Sequence, residues 1–355
     1  MSEYKKELEE LIEIVINEGG SDLHISVGRH PSIRVLGTLV PLVKKPILTP
    51  EDTLGLVEVL FPTKEKRDEF FAKKELDFSY SYKEKARFRC NAFFASGSAG
   101  VAMRLIPKKI STLEELNLPP SLADFTRRQQ GFFLLVGPVG QGKTTTLSAM
   151  IELINQERAE HIITIEDPIE YIYEQKQSII DQREIGLDSP DFHTALRGTF
   201  RQDVDVIMVG EMREPETIAT AVTAAETGHL VFATLHTNNA PQTIDRILDS
   251  FSADQQPQIR AQLSNTLSGI FSQRLLPRVS GGVVPAYELL INNNAVANLI
   301  REGRTHEIDS VIQTSMEQGM IDLNRCLADL VQKGEITIET ARMYSLKPQV
   351  LDRLI

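Results

Sequence analysis

The sequence contains only two cysteines, Cys90 and Cys326, among its 355 residues. Two thiols cannot form a framework of several disulfides or a zinc site with four thiolate ligands, so we expect neither. The longest purely apolar runs are only four or five residues, such as 132–136. A membrane span needs about 20 such residues, so we expect no direct insertion into a membrane.

Basic clusters are also missing. The 38 Lys and Arg residues are outnumbered by 49 Asp and Glu residues, which gives a formal net charge of −11. Because phosphate-backbone binding needs several Lys or Arg contacts, this balance disfavours nucleic acid as a partner. The first 20 residues are acidic with helical spacing, unlike a signal peptide with its basic start and apolar core. We therefore expect a cytoplasmic protein.

The length and the 41% hydrophobic content predict at least two folded domains. We assign the first domain to residues 1–106, where Gly19-Gly20 ends a first helix. A helical stretch at 50–73 and strand-like runs follow, the runs lying at 32–40, 77–82, 86–94 and 100–106. In one run Phe88, Cys90 and Ala92 alternate with Arg87, Arg89 and Asn91, which is the period of a sheet with one buried face. The polar, proline-flanked stretch 107–120 is the predicted linker.

Residues 121–355 form the second predicted domain. Its continuous apolar runs lie at 132–136, 161–165, 204–209 and 229–235, and helix-like stretches begin near Lys143, Asp191 and Glu214. Buried strands that alternate with helices predict a parallel α/β sheet covered on both faces. From Pro257 onward we expect helices, because Ile259, Leu263, Leu267 and Ile270 form one helical stripe.

A glycine-rich motif follows the first of these strands. Residues Gly137 to Thr144 read GPVGQGKT and match the pattern G-x-x-x-x-G-K-[ST] in full. A surface turn rich in glycine is the alternative, but this motif lies between an apolar strand and a helix, as a phosphate loop requires. The predicted nucleotide-binding residues are Gly137, Pro138, Val139, Gly140, Gln141, Gly142, Lys143, Thr144 and Thr145.

The residue types of this loop explain its chemistry. Glycines let successive backbone N–H groups point at phosphate oxygens, and the following helix adds its positive end. Lys143 can reach the β- and γ-phosphates, and the Thr144 hydroxyl can ligate Mg²⁺. We therefore predict ATP and Mg²⁺ as cofactors.

Three further strand ends carry polar residues. The stretch from Glu166 to Glu170 (EDPIE) follows one strand. Its three carboxylates predict a role in binding Mg²⁺ or in activating an attacking water, and a solvated acidic turn is the alternative. Glu211 follows the next and could hold Mg²⁺ through water or cap a helix. His229 and His236 flank the last strand, and either can be catalytic or an ordinary core histidine.

The motifs GPVGQGKTTT, ITIEDPIEY, RQDVDVIMVGEMREPET and AAETGHLVFATLHT occur in this order. Together with GGSDLH at 19–24 they resemble the secretion ATPases of bacterial pili and type II secretion. The resemblance implies an α/β protein: a RecA-like P-loop ATPase domain preceded by a smaller PAS-like α/β domain. It also implies a ring of six subunits.

The resemblance assigns roles to residues by position. Glu170 corresponds to the glutamate that activates water, with Glu166 as the second choice. Glu211 corresponds to the glutamate that organises Mg²⁺, and His229 and His236 to a pair that senses nucleotide near the subunit interface. Arg89 and Arg104 of the first domain lie in a region whose arginines, in the family, meet the nucleotide across a subunit boundary. The alternative is that they are ordinary solvated arginines of a strand.

The chain shows neither the extra N-terminal domain nor the paired C-x-x-C zinc insertion of the pilus extension ATPases, which favours the retraction branch. The segment AVANLIRE at 295–302 is similar to the retraction signature AIRNLIRE, with Ala297 in place of arginine. This resemblance implies a motor for pilus retraction and twitching motility that acts on an inner-membrane platform protein from the cytoplasmic face. A paralogous retraction ATPase is a further expected partner.

Several alternatives stay open at this stage. The chain could be an accessory retraction paralogue, or a related ATPase of type II secretion or pilus assembly. A nucleotide-gated scaffold with little turnover is a rival of another class, which Glu170 and Glu211 argue against. The acidic composition disfavours a RecA-like DNA translocase, and no acceptor site supports a small-molecule kinase.

Overall fold

A computed structural model describes residues 3–35, 37–61, 63–83, 85–106 and 109–355. Within it the chain divides into two compact units. The first contains the residues up to Lys109 together with Pro168–Ile172, and the second contains Ile110–Asp167 and Tyr173–Ile355. Residues 107 and 108 of the predicted linker lie outside the described residues, and the boundaries at 106 and 120 stay a prediction.

The first unit is built on a mixed set of three helices and six strands in its described part. They are α1 (Glu3–Asn17), β1 (Asp22–Ile25), β2 (Ser32–Val35), β3 (Thr38–Pro41), α2 (Pro50–Glu58), α3 (Lys64–Lys73), β4 (Glu75–Tyr82), β5 (Ala86–Ala95) and β6 (Ser98–Ile106). The strands form one antiparallel sheet in the order β3-β2-β1-β6-β5-β4.

The predicted alternation in β5 is confirmed. Phe88, Cys90 and Ala92 are fully buried in the core of this unit, and Arg89 on the other face is exposed. One face of an antiparallel sheet thus packs on helices while the other carries charge. The predicted helical stretch at 50–73 is two helices, and α2 begins with a capping box between Thr49 and Asp52.

The second unit contains the remaining elements. They are α4 (Leu122–Thr126), β7 (Gly131–Val136), α5 (Lys143–Glu157), β8 (His161–Glu166), β9 (Ile179–Glu184), α6 (Phe192–Thr199), β10 (Val206–Val209), α7 (Pro215–Glu226), β11 (Leu230–Leu235), α8 (Ala240–Asp249), α9 (Gln256–Thr266), β12 (Leu267–Pro277), β13 (Val283–Ile291), α10 (Asn294–Glu302), α11 (Ile308–Thr314), α12 (Leu323–Gln332), α13 (Ile338–Tyr344) and α14 (Pro348–Leu351). Short 3₁₀ turns lie at Thr305–Glu307 and Met316–Gln318.

Its sheet has the order β13-β12-β7-β11-β10-β8-β9, and every pair except β12–β13 is parallel. Alternate residues of β7 enter two different cores: Phe132 and Leu134 pack on one face, and Phe133 and Leu135 on the other. This confirms the predicted parallel sheet with two covered faces, and it explains why its strands read as continuous apolar runs.

The expectation of helices from Pro257 onward is wrong for residues 267–291, which form β12, β13 and the turn that joins them. The helical stripe is real only for Ile259 and Leu263, because α9 ends at Thr266. The following run is buried on both faces, so it lacks the alternation that marks a strand in sequence. None of the helices in the described ranges has the length and apolar surface that crossing a bilayer needs.

Candidate nucleotide-binding site

The predicted phosphate loop connects β7 to α5. Three of its glycines have positive φ: Gly137 at 147°, Gly140 at 75° and Gly142 at 76°. A Cβ atom on Gly137 would lie 2.3 Å from the carbonyl oxygen of Gln273, so a larger residue does not fit there. Gly142 is the N-cap of α5, and the N–H groups of the first turn together with the positive end of the helix dipole lie at the loop.

The other loop residues differ in exposure. Val139 is 79% exposed, whereas Thr144 and Thr145 are half-buried in the first turn of α5. Gln141 is held from the neighbouring strand, because its side-chain oxygen accepts from the Leu275 N–H at 2.7 Å. The loop therefore combines an open tip with a base fixed to the sheet.

Lys143 is a buried cation, only 7% exposed. Its Nζ donates to the carbonyl oxygens of Gly137 at 2.7 Å and Pro138 at 2.9 Å, and it lies 3.1 Å from His236 Nδ1. An ammonium group has only donors, so this contact requires Nδ1 to accept and places the imidazole proton on Nε2. That nitrogen in turn lies 3.0 Å from Glu211 Oε1.

The topology of the sheet explains this chain of three groups. Lys143, Glu211 and His236 follow β7, β10 and β11, which are neighbours in the sheet and run parallel. Parallel strands deliver their carboxyl ends to one edge, where ligands of open α/β sheets bind. The structure thus brings together three of the predicted site residues.

Two residues contact the Glu211 carboxylate, His236 and Arg213. Arg213 Nε and Nη2 donate to its two carboxylate oxygens at 2.7 and 2.8 Å. Burial acts to raise the pKa of Glu211, but the hydrogen bonds and charge of Arg213 and the charge of Lys143 outweigh it, so the pKa lies below its ordinary value and the group is ionised at neutral pH. Thr234 on β11 donates to the Gly210 carbonyl oxygen and fixes the loop that carries Glu211.

Glu166 ends β8 and is 3% exposed. Its Oε1 accepts from Thr164 Oγ1 at 2.6 Å and from Gln182 Nε2 at 3.1 Å. Gln182 belongs to β9, so this carboxylate joins two neighbouring strands. The contacts are those of a buried polar group that holds the sheet together.

Glu170 has different surroundings. It belongs to the Pro168–Ile172 segment that groups with the first unit. There Arg89 Nη1 lies 3.7 Å from Glu170 Oε1, and the two side chains are 45% and 42% exposed. The structure thus pairs two of the predicted site residues with each other.

Arg104 lies on β6, opposite Arg89 of β5. Its side chain is 72% exposed, and its Nε donates to Asp22 Oδ1 at 2.8 Å. Burial acts to raise the pKa of Asp22, but hydrogen bonds from Ser21 and Arg104 outweigh it and lower the pKa. An ionised Asp22 therefore orients the Arg104 guanidinium while leaving most of it at the surface.

His229 lies at the opposite end of β11 from His236. The two histidines are seven residue steps apart along the strand, which is about 23 Å of extended chain. His229 Nδ1 lies 2.9 Å from the Ala224 carbonyl oxygen, and the ring contacts Phe200 edge-on at 5.6 Å. Within this chain His229 does not join the cluster at the phosphate loop.

The structure also reveals site residues that the sequence analysis missed. Arg213 could have been found, because it follows Glu211 by two residues. Thr146, Thr234 and Gln273 could not, because their contacts depend on which strands are neighbours. Of these, Gln273 lies in β12, where the sequence pattern predicts a helix.

The glycine-rich loop and the buried Lys143 follow β7, and Glu211 follows β10, which lies two places from β7 in the sheet. These features define a phosphate-loop ATPase of RecA-like fold. Comparison with known proteins then places the chain more closely. It belongs to the family described as Type II/IV secretion system protein, whose sequence pattern matches residues 3–333.

Individual relatives agree with this assignment. The chain is 43% identical over 343 residues to the "Type IV pilus retractation ATPase PilT" of Pseudomonas aeruginosa, covering 97% of this chain and 99% of that protein. It is also 43% identical over 340 residues to the "Type IV pilus ATPase PilU" of the same organism, covering 96% and 88%. A crystal structure of the pilus retraction motor PilT with bound ADP matches with a TM-score of 0.91 and 45% identity, covering 97% of this chain and 98% of that one.

Proposed function

We propose that this chain is the ATP-hydrolysing subunit of a motor that powers type IV pilus retraction and, through it, twitching motility. One observation carries the proposal: Lys143, His236 and Glu211 form a connected set at the carboxyl ends of neighbouring strands. Near-complete coverage of relatives named as pilus ATPases supports the pilus as the object of the work.

Within this proposal the loop binds the phosphates of ATP. Lys143 exchanges its contacts with the Gly137 and Pro138 carbonyls for the β- and γ-phosphates, which releases His236 Nδ1 at the same time. His236 thereby links occupancy of the loop to Glu211. This link gives a physical basis for its proposed role as a nucleotide sensor.

The residues present also fit Mg²⁺. This ion usually takes one or two protein oxygens and keeps phosphate and water ligands, and the Thr144 hydroxyl and the ionised Glu211 carboxylate supply that set. Bound there, Mg²⁺ would neutralise charge on the phosphates. Glu211 would meet it partly through water.

We assign water activation to Glu170 rather than Glu166. A general base needs an accessible carboxylate, and Glu170 is 42% exposed. Glu166 is 3% exposed and holds two strands together through Thr164 and Gln182. Its role in this proposal is structural.

The proposed motor is a homo-hexamer in which Arg89 and Arg104 of one subunit approach the nucleotide of the next. The exposed guanidinium of Arg104, oriented by Asp22, suits such a contact. ATP would draw adjacent subunits together and hydrolysis would loosen them. The ring would act on an inner-membrane platform protein from the cytoplasmic side. In this arrangement the ring itself does not insert into the membrane.

The test is a phosphate-release assay on the full chain, with Lys143→Ala and Glu170→Gln beside wild type. We expect turnover in the wild type and its loss in both variants. Wild-type activity in both variants would end the catalytic assignment, and an inactive wild type that still binds ATP would instead support a nucleotide-gated scaffold.

An accessory retraction ATPase is the second candidate. It is favoured by the equal 43% identity to the relative named PilU and by Ala297 on α10. Expression in a strain that lacks its own retraction ATPases separates the two. Restored retraction by this chain alone supports the principal motor, and restoration only beside a paralogous retraction ATPase supports the accessory role.

A further inference from the structure

Gln273 lies on β12 beside the phosphate loop, in the parallel strand that neighbours β7. Its residue is 3% exposed. A buried amide is costly unless its donor and acceptor groups find partners. The partners of this amide identify what it does.

Both ends of the amide bind the phosphate-loop region. Gln273 Oε1 accepts from Thr146 Oγ1 at 2.7 Å, and Gln273 Nε2 donates to the Gln141 carbonyl oxygen at 2.9 Å. One side chain therefore joins the loop before Lys143 to the helix after it. The Gln141 side chain returns the contact by accepting from the Leu275 N–H.

The loop backbone is also shaped around this residue. The Gln273 carbonyl oxygen occupies the space that a Cβ on Gly137 would need, and Gln273 Nε2 lies 3.1 Å from an ideal Cβ on Gly142. Two of the motif's glycines thus face the same side chain or its backbone. The loop and β12 fit each other as a closely packed pair.

The geometry points to Gln273 as a positioning residue that fixes the phosphate loop in its binding conformation. The inference rests on the proposed ATPase function and extends it to a residue outside the motif. Gln273 acts through Gln141 and Thr146, the two residues that its side-chain amide binds. It sets how well the loop's N–H groups converge before a nucleotide arrives.

If the loop becomes ordered only when nucleotide binds, the cost of ordering it weakens binding of the ground state and of the transition state by the same amount. Uniform weakening raises KM and leaves kcat nearly unchanged, whereas loss of a group that acts on the reacting phosphate lowers kcat. This split distinguishes positioning by Gln273 from catalysis by Lys143.

The experiment compares Gln273→Leu with wild type and with Gln262→Leu, a surface glutamine on α9 that hydrogen-bonds Glu226. ADP affinity is measured by titration calorimetry, and ATP turnover by phosphate release. We expect Gln273→Leu to raise the ADP Kd and the ATP KM by at least about five-fold and to change kcat by less than about two-fold. Gln262→Leu should match wild type.

A second pair protects the test against misfolding. Thr146→Val removes the hydroxyl that binds Gln273 at nearly constant volume, and Thr146→Ser restores it. If Gln273→Leu does not fold, a raised ADP Kd in Thr146→Val with recovery in Thr146→Ser supports the inference. Wild-type Kd and KM in a folded Gln273→Leu, or in Thr146→Val where that pair decides, overturn it. A wild type that neither binds ADP nor hydrolyses ATP would overturn the proposed function itself.

Discussion

The two sheets of this protein differ in where their charged and polar side chains lie. The antiparallel sheet of the first unit buries apolar side chains on one face, and ion pairs such as Lys45–Glu10 and Lys83–Glu9 lie at the surface of that unit. The parallel sheet of the second unit is apolar on both faces, yet it buries polar groups such as Lys143, Glu166 and Gln273. Lys143 and Glu166 lie beside the ends of β7 and β8, and Gln273 lies within β12 and binds the loop and helix next to it.

This difference indicates which part of the molecule can form an active site. Exposed ion pairs are screened by water and contribute little, about 0–1 kcal/mol each. Buried groups at a strand edge have fixed partners and a low local dielectric, so each contact has a larger effect. We expect substitutions to follow this division.

The largest effect should come from Lys143→Ala. Removing the buried cation deprives the loop of its phosphate ligand, so turnover should fall at least about 100-fold. Steady-state phosphate release measures it, with Lys333→Ala on the surface as the control. Retained turnover in Lys143→Ala would show that the strand-edge cluster is not the active site.

Glu170→Gln against Glu166→Gln tests the comparison within the five residues 166–170, where Glu166 ends β8 and Glu170 is half-exposed. We expect Glu170→Gln to lower kcat by about 100-fold or more with ADP affinity kept, because an amide cannot accept a proton from water. Glu166→Gln should instead lower the melting temperature, because it disturbs the hydrogen bonds from Thr164 and Gln182. The reverse pattern in kinetics and thermal melting would exchange the two roles.

Arg104→Ala asks whether the first unit contributes to chemistry. If Arg104 reaches a neighbouring subunit's nucleotide, turnover should fall at least about ten-fold while nucleotide affinity changes little. Arg67→Ala is the matched control, since Arg67 is a half-exposed arginine of the same unit paired with Glu58. Equal turnover in both variants would leave Arg104 as a surface arginine.

The smallest effect concerns buried charge in the second unit. Burial raises the pKa of Glu288 from its ordinary value of 4.5 to about 7, with Asp309 and Asp322 adding to the shift and the Ala240 N–H and Lys347 opposing it. A raised pKa means that the folded protein binds the proton more tightly than the unfolded chain. The stability that this proton contributes is fully present below pH 4.5 and is lost as pH rises through about 7.

Glu288→Gln should remove that dependence and keep an acceptor for the Ala240 N–H. We expect the free energy of unfolding of the variant to exceed that of wild type by about 1–3 kcal/mol at pH 8. The difference should be smaller at pH 5. Chemical denaturation at the two pH values measures it, with the exposed Glu226→Gln as control. A difference independent of pH would contradict the buried titration.

Much of the site could be predicted from the sequence because motif residues follow strands whose apolar runs are unmistakable. The strand pattern predicts Lys143, Glu211 and His236 at one sheet edge, and the structure brings them together. The sequence could not reveal Gln273, because its role depends on β12 lying beside β7.

The strand β12 itself was hidden by coincidence. The spacing of Ile259 and Leu263 on α9 continues by chance into Leu267 and Ile270, so a helical pattern runs across a strand boundary. Gly269 marks the real structure: a Cβ there would lie 2.7 Å from the Leu290 carbonyl oxygen of the paired strand. The Phe125 ring lies just as close, at 2.8 Å, so the paired strand and this ring together require glycine there.

The antiparallel pairing of β12 with β13 has a mechanical consequence. The two strands stay in register from Gly269 opposite Ile291 to Pro277 opposite Val283, and the chain then continues from β13 into α10. A pull on the C-terminal helices along the strand direction would load these hydrogen bonds together as shear instead of opening them one by one. Force exerted on that part of the subunit would therefore reach the base of the phosphate loop through a stiff connection.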